Sequence, residues 1–136
     1  MDYCQEIMEK YSKDLFPQSL GIEIIYLSPG SCQVQMVVKD EMTNFHQITH
    51  GGALFTLADT AFGLASNSRG PAVALQVSVN FMTSSRGGQT LVATAREEHL
   101  TRSTGIYNVD VQDERGEAIM LFRGVVYRFK GKNNIF

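Results

Sequence analysis

A continuous apolar stripe marks the middle of the chain. Its residues recur at the three- and four-residue spacing of one helix face: Leu54, Leu57, Ala58, Ala61, Phe62 and Ala65. Gly51 and Gly52 come directly before or at the start of this segment, and Arg69-Gly70-Pro71 follows it. Because glycine and proline are typical stop signals, the pattern predicts a helix over 52–67 that lies inside the fold.

The segments on either side of this helix have the two-residue alternation of β-strands. The clearest case is 73–82, where Val, Leu and Phe alternate with small or polar residues. The remaining predicted strands, most of them separated by turn-forming residues, are 20–28, 31–38, 91–100, 104–111 and 118–129. In the first of them we expect Ile22, Ile24 and Tyr26 on one face. The last is apolar on both faces, which predicts a central strand covered on both sides.

The two ends of the chain have weaker patterns. A spacing of four between Tyr3, Ile7, Tyr11 and Leu15 predicts a helix over 2–15 that ends at Phe16-Pro17 and lies on the outside. Residues 130–136 are predicted to be a loose tail. The element order predicts a single α+β domain of 136 residues, in which one curved six-stranded antiparallel sheet wraps a central helix.

Composition narrows the class of protein. The chain is 43% hydrophobic and 19% charged, as expected of a soluble domain. Its net charge of -2 and its scattered basic residues predict no nucleic-acid partner. Cys4 and Cys32 have no pairing or metal-binding spacing, which indicates free thiols in a reducing cytoplasm and no metal site. Without an apolar run of about 18 residues or a basic leader, we expect no membrane span and no secretion.

Candidate chemistry begins at the entrance to the central helix. His50-Gly51-Gly52 places two glycines where unpaired backbone N–H groups and the positive end of the helix dipole point outward, so an oxyanion could be held there. The alternative is that the glycines only form a tight turn and that His50 is a structural histidine. His46 has no companion at metal-binding spacing, and we assign it no role.

Asp59 interrupts the apolar pattern of the same helix. It lies about 130° from the centre of the apolar stripe and roughly 11 to 12 Å along the axis from the helix start. A carboxylate and an amide on one helix therefore cannot both reach one reacting carbon, and two copies of the chain would have to share each site. The alternative is that Asp59 is a partly exposed polar residue.

These residues are part of a longer pattern. The run His50-Gly51-Gly52 through Leu57-Ala58-Asp59-Thr60-Ala61-Phe62 resembles the hotdog-fold acyl-CoA thioesterases, most closely the PaaI-type subfamily associated with phenylacetate degradation. The similarity continues through Asn80-Phe81-Met82, 89–95, 104–107 and 121–124. It covers 20–129 and leaves out the N-terminal helix (1–17) and the tail.

The resemblance implies a role for each matching residue. Asp59 would be the nucleophile or the general base for water, the Gly51 N–H would polarise the thioester carbonyl, and His50 would orient the site. Asn44, fifteen residues before the acid, would help to hold the attacking water. Further substrate or coenzyme A contacts are expected from Gly52, Phe62, Phe81, Met82, Arg86, Arg102 and Thr104, the two arginines reaching the phosphates.

Two positions depart from the pattern of the relatives. Gln47 stands where many of them have glycine, which affects the shape of the loop before His50. Ala74 stands where some have a serine that assists the water, so the site would depend more on Asn44.

The resemblance also implies a substrate and an assembly. We expect hydrolysis of arylacetyl-CoA or medium-chain acyl-CoA, with coenzyme A as part of the substrate and no separate cofactor. Acyl carrier protein remains open as the donor. Strand 73–82 is predicted to pair with its two-fold mate, giving a dimer with shared sites, and relatives join two such dimers into a tetramer.

Two other functions compete with hydrolysis. One is non-catalytic acyl-CoA binding. The other is a hydratase or dehydratase of the same fold, which is disfavoured because such lyases have histidine five residues after the aspartate, where this chain has Leu64.

Overall fold

The computed structural model of the protein describes residues 2–129. Its helices are α1 (Tyr3–Tyr11), α2 (Leu15–Ser19) and α3 (Gly51–Asn67). Its strands are β1 (Glu23–Ser28), β2 (Ser31–Val37), β3 (Ala72–Phe81), β4 (Thr90–Leu100), β5 (Thr104–Gln112) and β6 (Ala118–Arg128). The strands form one antiparallel sheet in the order β1-β2-β4-β5-β6-β3. The predicted α+β architecture is confirmed, and the predicted tail at 130–136 lies outside the described residues.

Helix α3 packs across one face of the sheet, as its apolar stripe predicts. The buried residues of this helix are Leu54, Leu57, Ala58, Ala61, Phe62, Leu64, Ala65 and Ser66. The closest approach is at Gly124 on β6, where an added Cβ would lie 2.5 Å from the Phe62 ring. Because no side chain fits there, Gly124 lets the helix seat an aromatic ring directly on the sheet.

Strand β3 is an edge strand, hydrogen-bonded on one side to β6 and on the other to no strand of the described chain. Its predicted unbroken alternation is wrong, because the register with β6 shifts between Ala74 and Gln76. Ala72 is buried before the shift, whereas Val77 and Val79 pack against the core after it. Leu75, the extra residue, is 61% exposed. Such a bulge exchanges the two faces of a strand.

In two further strands, the residues that face the core differ from the prediction. A register shift between Ile24 and Tyr26 in β1 directs Tyr26 to solvent, and Leu27 packs against the core with Ile24 instead. Strand β6 is central, as predicted, but Leu121 on its outer face is exposed. Within residues 2–129, α3 therefore covers the sheet on one face only.

The N-terminal segment forms two helices rather than the single predicted one. The chain leaves the helical path after Tyr11 and starts α2 at Leu15. Pro17 is accommodated because it lies in the first turn of α2, where a missing N–H breaks no helical hydrogen bond. Helix α1 lies on the outside as predicted, with Ile7 and Tyr11 packed against the core. The Tyr11 hydroxyl donates to the Ile22 carbonyl at 2.8 Å.

Candidate active site

The start of α3 presents one free amide. His50 is the N-cap residue, and its Nδ1 accepts a hydrogen bond from the Gly52 N–H at 3.1 Å. The N–H groups of Ala53 and Leu54 donate to the His50 carbonyl. Across residues 2–129, no hydrogen bond uses the Gly51 N–H. The helix therefore offers that donor, at its positive end, to a ligand.

A cleft of about 270 Å³ lies in front of this amide. Its walls come from the loop before α3, the end of β3 and the loop after it, and include the predicted residues Asn44, Gly51, Phe81 and Met82. The Phe81 ring lies so close to Gly51 that a Cβ there would be 3.3 Å from it. Glycine at this position thus leaves the amide accessible beneath the ring.

The carboxamide of Asn44 is oriented by its own turn. Asn44 Oδ1 accepts from the His46 N–H at 2.9 Å and from the Ile48 N–H at 3.4 Å. In the described part of the chain, Asn44 Nδ2 has no hydrogen-bond partner. Because the oxygen is already engaged, Asn44 has its N–H groups to offer to the cleft.

Gln47 explains how this turn keeps its shape without glycine. Its N–H donates to the Asn44 carbonyl, the Asn44 N–H donates to the Ile48 carbonyl, and Gln47 has a φ of 63°. This is the left-handed conformation that favours glycine, and it costs another residue about 1 kcal/mol or more. The turn therefore has the geometry that a glycine would adopt, with a local strain that glycine would avoid.

Asp59 lies in a second, larger cleft of about 560 Å³ between α1, α2 and α3. Solvent reaches its side chain, and within the described residues its carboxylate accepts no hydrogen bond and forms no ion pair. Burial in the cleft raises the pKa of Asp59, and the nearby charge of Asp14 raises it further. Both effects disfavour the carboxylate anion and make it a stronger base.

The other polar groups beside Asp59 are bonded within the protein. Thr56 and Thr60 donate to backbone carbonyls one helical turn back, at 2.9 and 2.6 Å. The Asn67 side chain is bonded to the Gly63 and Ala72 backbone. The apolar residues of the cleft are Ile7, Tyr11, Phe16, Pro17, Phe55 and Leu64. A ligand in this cleft therefore meets apolar walls together with two carboxylates, Asp14 and Asp59, and Lys10.

The two clefts share no lining residue. Asp59 is eight positions after Gly51 on α3, which separates them by about 12 Å along the axis. One chain thus presents the donor and the carboxylate at different places, as the spacing in the sequence predicts. A site shared between two chains remains a prediction.

Two of the predicted substrate contacts have partners within the protein. Phe62 is 1% exposed and packs in the core against Tyr107 and Phe122, with ring centroids 6.0 and 5.3 Å apart, and its contact with substrate stays a prediction. The Gly52 N–H already donates to His50 Nδ1, and a role for Gly52 in substrate binding stays a prediction.

The two predicted phosphate-binding arginines lie at opposite ends of the molecule. Arg86 follows the wall of the Gly51 cleft, and its guanidinium donates to the Gln47 carbonyl at 3.4 Å. Arg102 lies in the β4–β5 turn, two residues before Thr104 at the start of β5. This turn is close to the end of β6, which pairs with the start of β3. Their contacts with coenzyme A stay predictions, and one chain does not bring them to one place.

Several lining residues had no signal in the sequence. Asp14 is 45 positions from Asp59, and the hydroxyl groups of Thr49 and Ser85 meet across 36 positions. A polar run at 83–85 after a strand was the one available hint of the loop beside Gly51. Over residues 2–129, no group of three or more His, Cys, Asp or Glu side chains could hold a metal ion. No helix in that range is long and apolar enough to span a membrane.

A sheet wrapped around one helix, with a free glycine amide at the helix start and an aspartate two turns later, defines a thioesterase-type domain. Residues 46–120 match the Thioesterase superfamily, and the chain belongs to this family. The predicted hotdog-fold relationship is confirmed.

Similar proteins sharpen this assignment. Acyl-coenzyme A thioesterase PaaI of Escherichia coli strain K12 is 41% identical over 122 residues, 89% of this chain and 87% of the relative. The structure of the E. coli PaaI protein from the phenylacetic acid degradation operon has a TM-score of 0.90 at 40% identity, over 93% of both chains. A protein of Streptococcus mutans UA159 bound to acetyl CoA has a TM-score of 0.78 at 29% identity, over 82% and 91% of the two chains.

Proposed function

We propose that this protein is an acyl-CoA thioesterase that hydrolyses acyl-CoA to a free acid and coenzyme A. The observation that carries the proposal is the pairing, on one helix, of a free Gly51 amide with an Asp59 carboxylate whose pKa is raised. Hydrolysis of a thioester needs a donor for the developing oxyanion and a base or nucleophile for the carbonyl carbon. The identity of 41% with a PaaI acyl-CoA thioesterase supports this assignment.

In the proposed reaction the thioester carbonyl oxygen accepts a hydrogen bond from the Gly51 N–H. Asn44 Nδ2, whose oxygen is held by the turn, would donate to the same oxygen or to the attacking water. Asp59 either removes a proton from that water or attacks the carbonyl carbon itself. In the general-base route water adds to the carbonyl carbon, the C–S bond breaks, and the proton that Asp59 took from the water passes to the coenzyme A thiolate. In the nucleophilic route Asp59 displaces the coenzyme A thiolate and forms a mixed anhydride, which water hydrolyses to the free acid and the Asp59 carboxylate, while the thiolate takes its proton from solvent.

A second copy of the chain completes the proposed site. Because the Gly51 and Asp59 clefts are separate in one chain, a thioester that reaches both groups must lie between two protomers. The open edge of β3 supports a dimer in which this strand pairs with its mate. A dimer of dimers is proposed by analogy with the subfamily.

The Asp59 cleft favours an apolar acyl group. Its side-chain walls are mainly aromatic and aliphatic, and its hydroxyl and amide groups are bonded internally. An arylacetyl group, or a medium-length aliphatic chain, would bury its surface against these walls without breaking the internal bonds of Thr56, Thr60 and Asn67. Coenzyme A as the donor is supported by the related streptococcal structure that contains acetyl CoA. A cytoplasmic location is part of the proposal and is supported by two free cysteines.

A substrate panel with two separate readouts tests this function. Phenylacetyl-CoA, hydroxyphenylacetyl-CoA, medium-chain acyl-CoA and enoyl-CoA would be compared with the same acyl groups on acyl carrier protein. We expect release of free thiol, fastest with arylacetyl-CoA. Binding of acyl-CoA without thiol release would instead identify a non-catalytic binding protein. Loss of the enoyl absorbance without thiol release would identify a lyase.

A further inference from the structure

Two buried hydroxyl groups tie the entrance of α3 to the loop after β3. Thr49 is 5% and Ser85 1% exposed, and their Oγ1 and Oγ atoms are 2.6 Å apart. The Thr49 N–H also donates to the Ser85 carbonyl at 2.8 Å. Building on the proposed hydrolysis, we propose that Thr49 and Ser85 are positioning residues that hold the Gly51 N–H in place for the thioester oxygen.

The position of Thr49 gives it control over that amide. It lies two residues before Gly51, in a segment where the His50 N–H donates to the Met42 carbonyl at 2.7 Å and Thr43 forms a β-bridge with Thr49. These bonds hold the segment from the side of Met42. The Thr49–Ser85 pair holds it from the other side, so the helix start is fixed between two independent supports.

Ser85 is the last residue of the segment that forms the other wall of the Gly51 cleft. Met82, Thr83 and Ser84, just before it, line the space in front of Gly51. The hydroxyl pair therefore sets the distance between the amide and the wall that faces it. Being buried, the pair is strong and directional, and removing one hydroxyl leaves the other without its partner.

A nucleophilic role for Ser85 does not fit its surroundings. Its hydroxyl is shielded from solvent and bonded to Thr49, and no histidine or carboxylate in residues 2–129 hydrogen-bonds to it. Asp59 lies in the other cleft. Within one chain the pair therefore acts through the Gly51 amide rather than through the carboxylate.

Four variants test this role with an acyl-CoA that the wild-type protein hydrolyses. Ser85→Ala and Thr49→Val remove one hydroxyl each, and Thr49→Ser keeps the hydroxyl. Thr94→Val is the matched control, because Thr94 is a threonine 8% exposed whose Oγ1 accepts from Gln33 Nε2 at 2.9 Å between β2 and β4, outside both clefts. All are assayed below their melting temperatures, with kcat, KM and the pH profile measured for each.

We expect kcat to fall about tenfold or more in Ser85→Ala and Thr49→Val, because a displaced oxyanion donor acts mainly on the transition state. KM should stay within about twofold, the acid side of the pH profile should not move, and Thr49→Ser and Thr94→Val should stay near wild type. If Thr49→Val does not fold, Ser85→Ala decides the same question.

Two kinetic results would overturn the inference: a kcat loss no larger than in Thr94→Val, or an effect on KM alone. A shift of the acid side of the pH profile would also overturn it, because it would implicate Asp59. Absence of thiol release by the wild-type protein would instead contradict the proposed function itself.

Discussion

The two clefts along α3 differ in the charge that they favour. In the Gly51 cleft, the Gly51 N–H at the positive end of the helix and Asn44 Nδ2 are both donors without a partner in residues 2–129, and such donors stabilise an anion. At Asp59, burial and the charge of Asp14 destabilise an anion. If Asp59 were beside the Gly51 amide, that donor would stabilise the carboxylate and lower its pKa. On one chain, therefore, the Gly51 amide does not offset the effects that raise the pKa of Asp59.

The largest expected effect comes from removing the carboxylate. Asp59→Asn and Asp59→Ala should lower kcat by about 10²–10⁴-fold, since the base or nucleophile is lost. Fold and assembly should be unchanged, because Asp59 lies outside the apolar stripe. Steady-state kinetics, circular dichroism and native mass measure these quantities. Retention of more than about a tenth of wild-type kcat by Asp59→Asn would show that the assigned role is wrong.

Mixing two inactive proteins tests whether the clefts belong to different chains. Gly51→Pro removes the N–H at the first helical position, where proline is otherwise tolerated, although the Phe81 ring must shift slightly. With subunit exchange, Asp59→Ala and Gly51→Pro should form mixed dimers that contain one intact site. Activity should return to about a quarter of wild type for random pairing of equal amounts. Exchange confirmed by mass without any activity would rule out the shared site.

Variants of the two arginines test which end of the protomer binds the nucleotide of coenzyme A. Arg86→Ala and Arg102→Ala should each raise KM for acyl-CoA by about three- to tenfold, as expected for a lost charge-assisted contact with phosphate. KM for an acyl-pantetheine without the nucleotide should change much less. Equal changes for both substrates would show that neither arginine binds the nucleotide. A change in one variant alone would assign the nucleotide to that end of the protomer.

The smallest effect concerns the pH profile. The pKa of Asp59 is raised by burial and by the charge of Asp14, and the base acts when deprotonated, so kcat/KM should fall on the acid side at a higher pH than for an ordinary aspartate. Asp14→Asn removes a like charge, which lowers the pKa of Asp59 and moves this acid limb to lower pH. Burial, the larger cause, remains in this variant. Glu114→Gln, at the exposed β5–β6 turn, is the control and should leave the limb in place.

The hydrophobic periodicity was sufficient to predict the central helix and the six strands, but it did not predict which residues of each strand face the core. The buried helix was predicted to within one residue at its start, and each predicted strand is present, because burial on one face imposes a regular pattern. The bulges at Ile25 and Leu75 were not predictable. A bulge depends on pairing with a neighbouring strand, and it moves Tyr26 and Leu75 to solvent although their own pattern is unbroken.

The residues of the candidate site also fall into two groups, those in one local run of the sequence and those brought together from distant segments. Asn44, Gly51 and Asp59 belong to a local run, and the family resemblance assigns them roles that stay predictions. The spacing of Gly51 and Asp59 predicts that one chain does not bring them together. Asp14 and the Thr49–Ser85 pair depend on contacts between distant segments, which a single sequence does not display. The close packing of Phe62 against Gly124 likewise joins residues 62 positions apart, and the family pattern does not display it.

The N-terminal helices have a consequence for how this domain could diversify. Helices α1 and α2, together with Asp14 between them, supply half of the other residues that line the Asp59 cleft, yet they precede the segment matched by the superfamily. Because they precede both β1 and the matched segment, they could be lengthened, shortened or replaced without changing the path of the chain through α3 and the sheet. The walls of the Asp59 cleft could thus evolve, or be engineered, separately from α3, which carries both Gly51 and Asp59.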